Sequence, residues 1–137
     1  MAVSDFNTQI IEEFRANEGR VGGKWDGRDL LLLTTTGRTT GKRYTTPMVY
    51  TRDDGRLLVY ASQGGSPDDP DWFKNLSADS HVTVEVGSES YGATATPITG
   101  AERDRLYAAQ AAKWPTFADY QEQSGGRTIP VVAIVRD

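Results

Sequence analysis

The sequence predicts a small, mostly antiparallel β-barrel with helices packed on its outside. Three observations lead there. The 137 residues hold six short β-prone runs, a pattern unlike the long buried strands of a doubly wound sheet. Most successive runs are joined by tight-turn residues, which link antiparallel neighbours. The helical stretches fall between the hairpins, in the order α, βββ, α, ββ, α(α), β, and so suit the outside of a curled sheet.

Residues 4–18 read as a helix with Ser4 as its N-cap. Phe6, Ile10, Ile11 and Phe14 share one face, with Glu12, Glu13 and Arg15 elsewhere. The reading is a helix laid on the core. A membrane-surface helix is the alternative, and the acidic polar face argues against anionic lipid. Gly19, Gly22 and Gly23 end the helix. Residues 30–36 form a strongly β run. Residues 44–51 and 56–62 make a hairpin across Asp53-Asp54-Gly55, a strong turn signal. Asp69 as N-cap and Pro70 at the first helical position open a short helix carrying Trp72, Phe73 and Leu76. Residues 81–86 alternate in Val and read as a half-buried strand, turned by Gly87-Ser88-Glu89 into 90–97. Thr99-Gly100-Ala101-Glu102 is a capping box for a helix running to about Lys113. Pro115 breaks that helix, 117–123 forms a second short one, and 128–135 closes the chain as a strand. Without linker, repeat or low-complexity tract, residues 1–137 are expected to be one domain.

Composition narrows the chemistry. The chain is 37% hydrophobic and 25% charged, with a formal net charge of −4, which disfavours general nucleic-acid binding. It has no cysteine, so disulfides, thiolate zinc sites and a Cys nucleophile are excluded. Its single histidine, His81, builds no multi-His metal centre, so no metal site is expected. The N-terminal stretch has acids and no long apolar core, unlike a secretory signal. No apolar run approaches the ~18 residues of a spanning helix. A cytoplasmic protein is the expectation, with a position at the inner face of the plasma membrane as the alternative.

Against this acidic background, residues 30–52 contain no Asp or Glu but carry Arg38, Lys42, Arg43 and Arg52. At the centre lies Gly37-Arg38-Thr39-Thr40-Gly41-Lys42-Arg43. This is not a P-loop. The second glycine comes one residue early, Arg43 replaces the magnesium-binding hydroxyl, and an extended segment follows instead of a helix. Glycines that let backbone N–H groups approach, Thr hydroxyls and cations still suit an anion. The bland alternative is a hairpin turn with solvated charges. Ala61-Ser62-Gln63-Gly64-Gly65 follows a strand end, where small residues admit a planar ligand, or it is simply a loop. Trp72 and Asn75 share a helix face as pocket wall and ligand contact, or as a core Trp and a surface Asn. Trp114, Phe117 and Tyr120 recur at a spacing of three, either lining an apolar pocket or packing in the core.

Taken together these motifs resemble the deazaflavin-dependent nitroreductases of actinobacteria, also described as F420H2-dependent quinone reductases. The likeness runs from about Leu30 to Val135. It rests on residues 31–42, Thr46-Pro47-Met48, Ala61-Ser62-Gln63-Gly64-Gly65, residues 71–76, residues 82–86, Trp114-Pro115, Asp119-Tyr120-Gln121 and residues 127–132. The resemblance implies a split β-barrel similar to that of FMN-binding oxidases, and coenzyme F420, a deazaflavin bearing a phosphate and an acidic oligoglutamate tail. It implies that Arg38, Thr39, Thr40, Gly41 and Lys42 hold the phosphate and tail. Thr46, Pro47, Met48 and Val49 would run beside the ring. Ala61, Ser62, Gln63 and Gly64 would meet its other edge, with Trp72 and Asn75 completing the pocket. Val49, Trp114, Phe117 and Tyr120 would face the acceptor, and Ser62 or Tyr120 would hydrogen-bond its oxygen.

Some members carry Lys where this chain has Gln63, and several carry Arg where it has Tyr44. Arg43 stands one residue earlier, on the opposite face of a strand. Of the positions that match aromatic, notably Tyr, residues around the substrate of a nitroimidazole-activating member, only Tyr120 keeps a hydroxyl. The implied reaction is hydride transfer from reduced F420 to a small, electron-poor conjugated acceptor: a quinone, an enone or unsaturated lactone, or a nitroaromatic. An FMN-dependent oxidoreductase on the same barrel, or a non-enzymatic carrier of an anionic ligand, is the alternative. Both a monomer and a homodimer fit.

Overall fold

The computed structural model describes residues 3–22, 29–53, 55–62, 68–125 and 128–137, with side chains from residue 8 onward. The elements are α1 (Val3–Ala16), β1 (Leu30–Thr36), β2 (Arg43–Val49), β3 (Thr51–Asp53), β4 (Arg56–Tyr60), α2 (Asp71–Ala78), β5 (His81–Val86), β6 (Glu89–Ile98), α3 (Gly100–Lys113), α4 (Thr116–Gln123) and β7 (Val131–Arg136). The strands form one sheet in the order β2-β1-β5-β6-β7-β4-β3. Each neighbouring pair is antiparallel.

The edge strands β2 and β3 are consecutive in sequence, with only Tyr50 between them. A sheet whose first and last strands stand one residue apart must roll up. The chain from 43 to 53 therefore pairs with β1 in its first half and with β4 in its second. The result is a split β-barrel, open where β2 parts from β4. Pro47 sits in β2, where an edge position spares the ladder its missing N–H.

Three apolar clusters follow from strand alternation. Leu31, Leu33, Val59, Val84, Val132 and Ile134 point into the barrel, where Leu76 of α2 plugs one end. Leu30 and Leu32 face outward and are covered by Ile10 and Phe14 of α1. Leu58, Val131 and Ala133 face outward elsewhere, under Leu106, Tyr107 and Phe117 of α3 and α4. Phe14 is 1% exposed; full burial of such a side chain contributes about 1.5–3 kcal/mol. Arg15 adds two hydrogen bonds to Glu85, at 2.9 and 2.8 Å. Beyond α1, Gly19 (φ +93°) packs so closely that a Cβ there would lie 2.8 Å from Gly87 Cα.

Several expectations need correction. Ser4 lies inside the first turn of α1 rather than capping it. The expected strand 44–51 is interrupted at Tyr50, where the chain changes pairing partner. Asp69 does not cap α2: Pro70 is the N-cap, and its carbonyl accepts from Phe73 and Lys74 N–H at 3.1 and 3.2 Å. The capping box at Thr99 does not form, since Thr99 makes no side-chain cap bond and Glu102 instead pairs with Arg56 at 3.2 Å. The closing strand begins at Val131, three residues later than the expected 128. The Ser4 and Phe6 side chains lie outside the described side chains. Gly23, Asp54, Gln63, Gly64, Gly65 and Arg127 lie outside the described residues.

Candidate functional site

The site starts from the threonines that end β1. Alternation turns Thr34 and Thr36 outward and Thr35 inward. Thr35 is fully buried, and Thr34 shares a hydrogen bond with Thr45 at 2.8 Å. Gly37 then closes the turn: its N–H donates to Lys42 O at 2.7 Å, and Gly41 N–H donates to Gly37 O at 2.9 Å. Thr40 Oγ1 accepts from Lys42 N–H at 3.2 Å and shares a hydrogen bond with Tyr44 Oη at 3.0 Å. A Cβ on residue 37 would lie 2.6 Å from Thr40 Oγ1 and 2.7 Å from Tyr44 Cε2. Glycine is what lets that hydroxyl pair fold over the turn. Gly41, at φ +72°, takes the left-handed position.

Arg38 ties the turn to α2. Its backbone N–H and Nη1 donate to Asn75 Oδ1 at 3.3 and 2.7 Å, and Nη2 donates to Asp71 Oδ1 at 3.2 Å. Asn75 is 4% exposed, and its Nδ2 donates to Thr35 Oγ1 at 3.4 Å. Its polar atoms are engaged by protein, so Asn75 acts as the bolt joining β1, the turn and α2. Arg43 leaves the turn in the other direction. Its Nη1 and Nη2 donate to Thr36 Oγ1 at 2.8 Å and Thr83 Oγ1 at 2.7 Å, on the outward face.

Between the turn, β2, α1 and the first turn of α2 lies an open cleft of about 550 Å³. Of the residues expected to bind cofactor, Arg38, Thr39, Thr40, Thr46, Trp72 and Asn75 line it. Thr8, Ile11, Thr35, Gly37, Tyr44, Thr45 and Asp71 also line it and were not assigned from the sequence. Strand alternation gives the signal for Thr35, Tyr44 and Thr46, which fall on one face of the β1–β2 hairpin. Nothing local points to Asp71 as the partner of Arg38.

Other expected site residues stand elsewhere. Gly41 and Lys42 belong to the turn but do not line the cleft. Pro47 lies opposite Leu32, and Met48 packs against the barrel interior. Val49 packs against the α1 cluster at the far end of β2, roughly 20 Å from the turn at ~3.3 Å per residue. Ala61 is fully buried, and its N–H donates to Pro130 O at 3.0 Å. Strand directions put half-buried Ser62, past the end of β4, at the same end of the barrel as the turn.

Trp114, Phe117 and Tyr120 do come together, but on the outer face under α3 and α4. Phe117 is 6% exposed and makes edge contacts with Trp114 at 5.3 Å, Tyr120 at 5.5 Å and Tyr60 at 5.5 Å. The three do not line the cleft. Within this cluster the Tyr60 phenol is pushed above its ordinary pKa. Burial is the main cause, the Asp53 charge adds to it, and a 2.9 Å hydrogen bond with Thr51 opposes it. His81 is exposed, with Nδ1 3.4 Å from Asp79 Oδ1. Among the described residues no group of three His, Cys, Asp or Glu side chains could hold a metal. No helix there is long and apolar enough to cross a membrane.

A family model described as F420H(2)-dependent quinone reductase matches residues 7–136. An F420H(2)-dependent quinone reductase of Mycobacterium tuberculosis is 35% identical over 127 residues, covering 90% of this chain and 85% of the relative. Among solved structures, an F420-H2 dependent reductase superposes with a TM-score of 0.69 at 32% identity, over 78% of this chain and 94% of that one. A domain-swapped dimer matches with a TM-score of 0.71 at 28% identity, over 97% of this chain and 99% of that one.

Proposed function

The chain belongs to the F420H(2)-dependent quinone reductase family, and from that premise we propose that it reduces quinones with F420H2 at the cleft between the 37–42 turn and Trp72. Coenzyme F420, when bound, supplies the hydride, and that explains why no triad or metal is required. The observation that carries the placement is the cleft itself. About 550 Å³ falls within the usual range for small-molecule sites, ~300–1,000 Å³. Its lining joins the apolar walls of Ile11 and Trp72 to a row of threonine hydroxyls. That donor set fits a planar ring carrying a polyhydroxylated, phosphorylated side arm.

In this reading Trp72 holds the ring, while Thr39, Thr40 and Thr46 bind the polar arm. Asn75 keeps the turn in place from behind. Ser62 and Tyr120 serve the acceptor side. Tyr120 belongs to the cluster that includes Tyr60, the last residue of β4, and Ser62 follows two residues on. Each would donate a hydrogen bond to an acceptor oxygen as it gains negative charge. The acceptor is an apolar conjugated compound. Enones and unsaturated lactones belong to the same electronic class as quinones, and nitroaromatics are the outer member of the range.

Anaerobic titration of the purified protein with F420H2, followed by menaquinone, coumarin and nitroaromatic acceptors, tests the proposal. Loss of F420H2 with a quinone, at a rate that scales with enzyme, is the expected result. Tight binding with no acceptor reduced would make the protein a carrier and overturn it.

A further inference from the structure

We propose that Asp71 is a specificity-determining residue that cancels the positive charge of the cleft, so that this chain reads the deazaflavin through hydroxyl groups and makes little use of its anionic tail. The inference rests on the F420 reading given above. The turn supplies three cations in sequence, of which only Arg38 lines the cleft. Arg38 is held by Asp71 at 3.2 Å and by Asn75 at 2.7 Å. Arg43 spans Thr36 and Thr83 on the outward face. Lys42 does not line the cleft.

Among the described lining residues only Arg38 and Asp71 are charged, and their signs are opposite. Asp71 is also the first residue of α2, where a carboxylate offsets the positive end of the helix. One side chain thus neutralises both local sources of positive potential. The other polar groups able to meet a ligand on the walls are threonine hydroxyls and the Tyr44 phenol. They can bond a phosphate or a ribityl hydroxyl, but they exert no net Coulomb pull on a polyanion. The Asp71 side chain is 84% exposed, so an incoming glutamate tail meets a like charge at the mouth.

The test is equilibrium binding by deazaflavin fluorescence, using the tail-less deazaflavin riboside and F420 with short and long glutamate tails. Wild type and Asp71→Asn are compared at roughly 0.05 and 0.5 M salt, which spans strong and weak screening. For wild type, the long- and short-tailed forms should bind within about twofold of each other at both salts. Asp71→Asn should tighten the long-tailed form about 3- to 10-fold at low salt, the size of one near-surface charge contact. It should leave the riboside unchanged, and high salt should erase the gain. A wild type that prefers the long tail more than about tenfold, with steep salt dependence, overturns the inference but not the F420 reading. So does an Asp71→Asn that binds all forms as wild type does. Failure of wild type to bind any of the three would sink both. Far-UV circular dichroism checks that the exposed substitution leaves the fold intact.

Discussion

Asn75→Ala is the substitution that should separate the scaffold of the site from its ligand contacts. The Asn75 amide accepts from Arg38 N–H and Nη1 at 3.3 and 2.7 Å and donates to Thr35 Oγ1 at 3.4 Å, while only 4% exposed. Truncation strips an acceptor from a guanidinium, an interaction in the class of about 1.5–3 kcal/mol. It also leaves the fully buried Thr35 hydroxyl without this donor. Arg38 keeps Asp71 and can turn to water, since its side chain is 36% exposed. That relief puts the net loss near 2–3 kcal/mol rather than the sum of the parts. Urea unfolding should show the midpoint fall at unchanged m-value, because little extra surface is exposed. F420 affinity should fall as well, since the turn loses its tether. Asn75→Asp offers a control: it keeps an acceptor for Arg38, loses the donor to Thr35 and adds a carboxylate charge facing the Arg38 guanidinium, so it should recover part of the loss. If Asn75→Ala sits within about 0.5 kcal/mol of wild type, the range of an ordinary surface change, the bolt does not exist.

Three further outcomes follow from the same geometry. Gly37→Ala forces a Cβ to 2.6 Å from Thr40 Oγ1 and 2.7 Å from Tyr44 Cε2. Tyr44 is 45% exposed and can swing out, so stability should drop by only about 1 kcal/mol, the low end for overpacking. F420 titration should register a larger effect, and equal affinity would remove the turn from the site. Tyr60 has a folded-state pKa above its unfolded value, so its contribution is complete below about pH 10 and is lost as pH rises through the folded value. Tyr60→Phe should therefore cost about 0.5–1.5 kcal/mol near neutral pH, from the Thr51 bond, and less at about pH 11. Denaturation midpoints at the two pH values check this, and a constant difference would contradict it. Tyr120→Phe should slow quinone reduction while leaving F420 affinity intact; unchanged turnover would leave Tyr120 as a packing partner of Phe117.

The strands were most legible where local pattern and tertiary role coincide. Leu30–Thr36 and His81–Val86 read correctly at both ends, because alternation and flanking turn residues mark them without help from the rest of the chain. Tyr50 was not legible as a break. Nothing local distinguishes it from its neighbours, and the interruption exists only because the rolled sheet sends 43–49 to β1 and 51–53 to β4. Glu102 shows the same limit in another form. Thr99 and Glu102 have the spacing of a capping box, but folding brings Arg56 from 46 residues away to 3.2 Å. A carboxylate offered a guanidinium takes a charge-assisted bond over a neutral N–H. Trp114, Phe117 and Tyr120 gather in one cluster with Tyr60 and Tyr107, contacts that come from β4 and α3 and that their spacing of three cannot show.

The acid-free stretch from 30 to 52 carries the wider point. Local composition reveals where cations are, but the field in a site depends on their counterions, which come from anywhere in the fold. Here the counterion is Asp71, 33 positions beyond Arg38 and delivered by the helix that plugs the barrel. Arg43 is lost to the site for a different reason, the two-residue period of a strand. What the segment contributes to the cleft walls is mostly threonines, Thr35, Thr39, Thr40, Thr45 and Thr46, which a charge count ignores. Within the motif Arg38 ties the turn to α2 and lines the cleft beside Gly37, Thr39 and Thr40. A site of that kind gains little from long-range attraction and must select its ligand by fit and hydrogen bonding at contact.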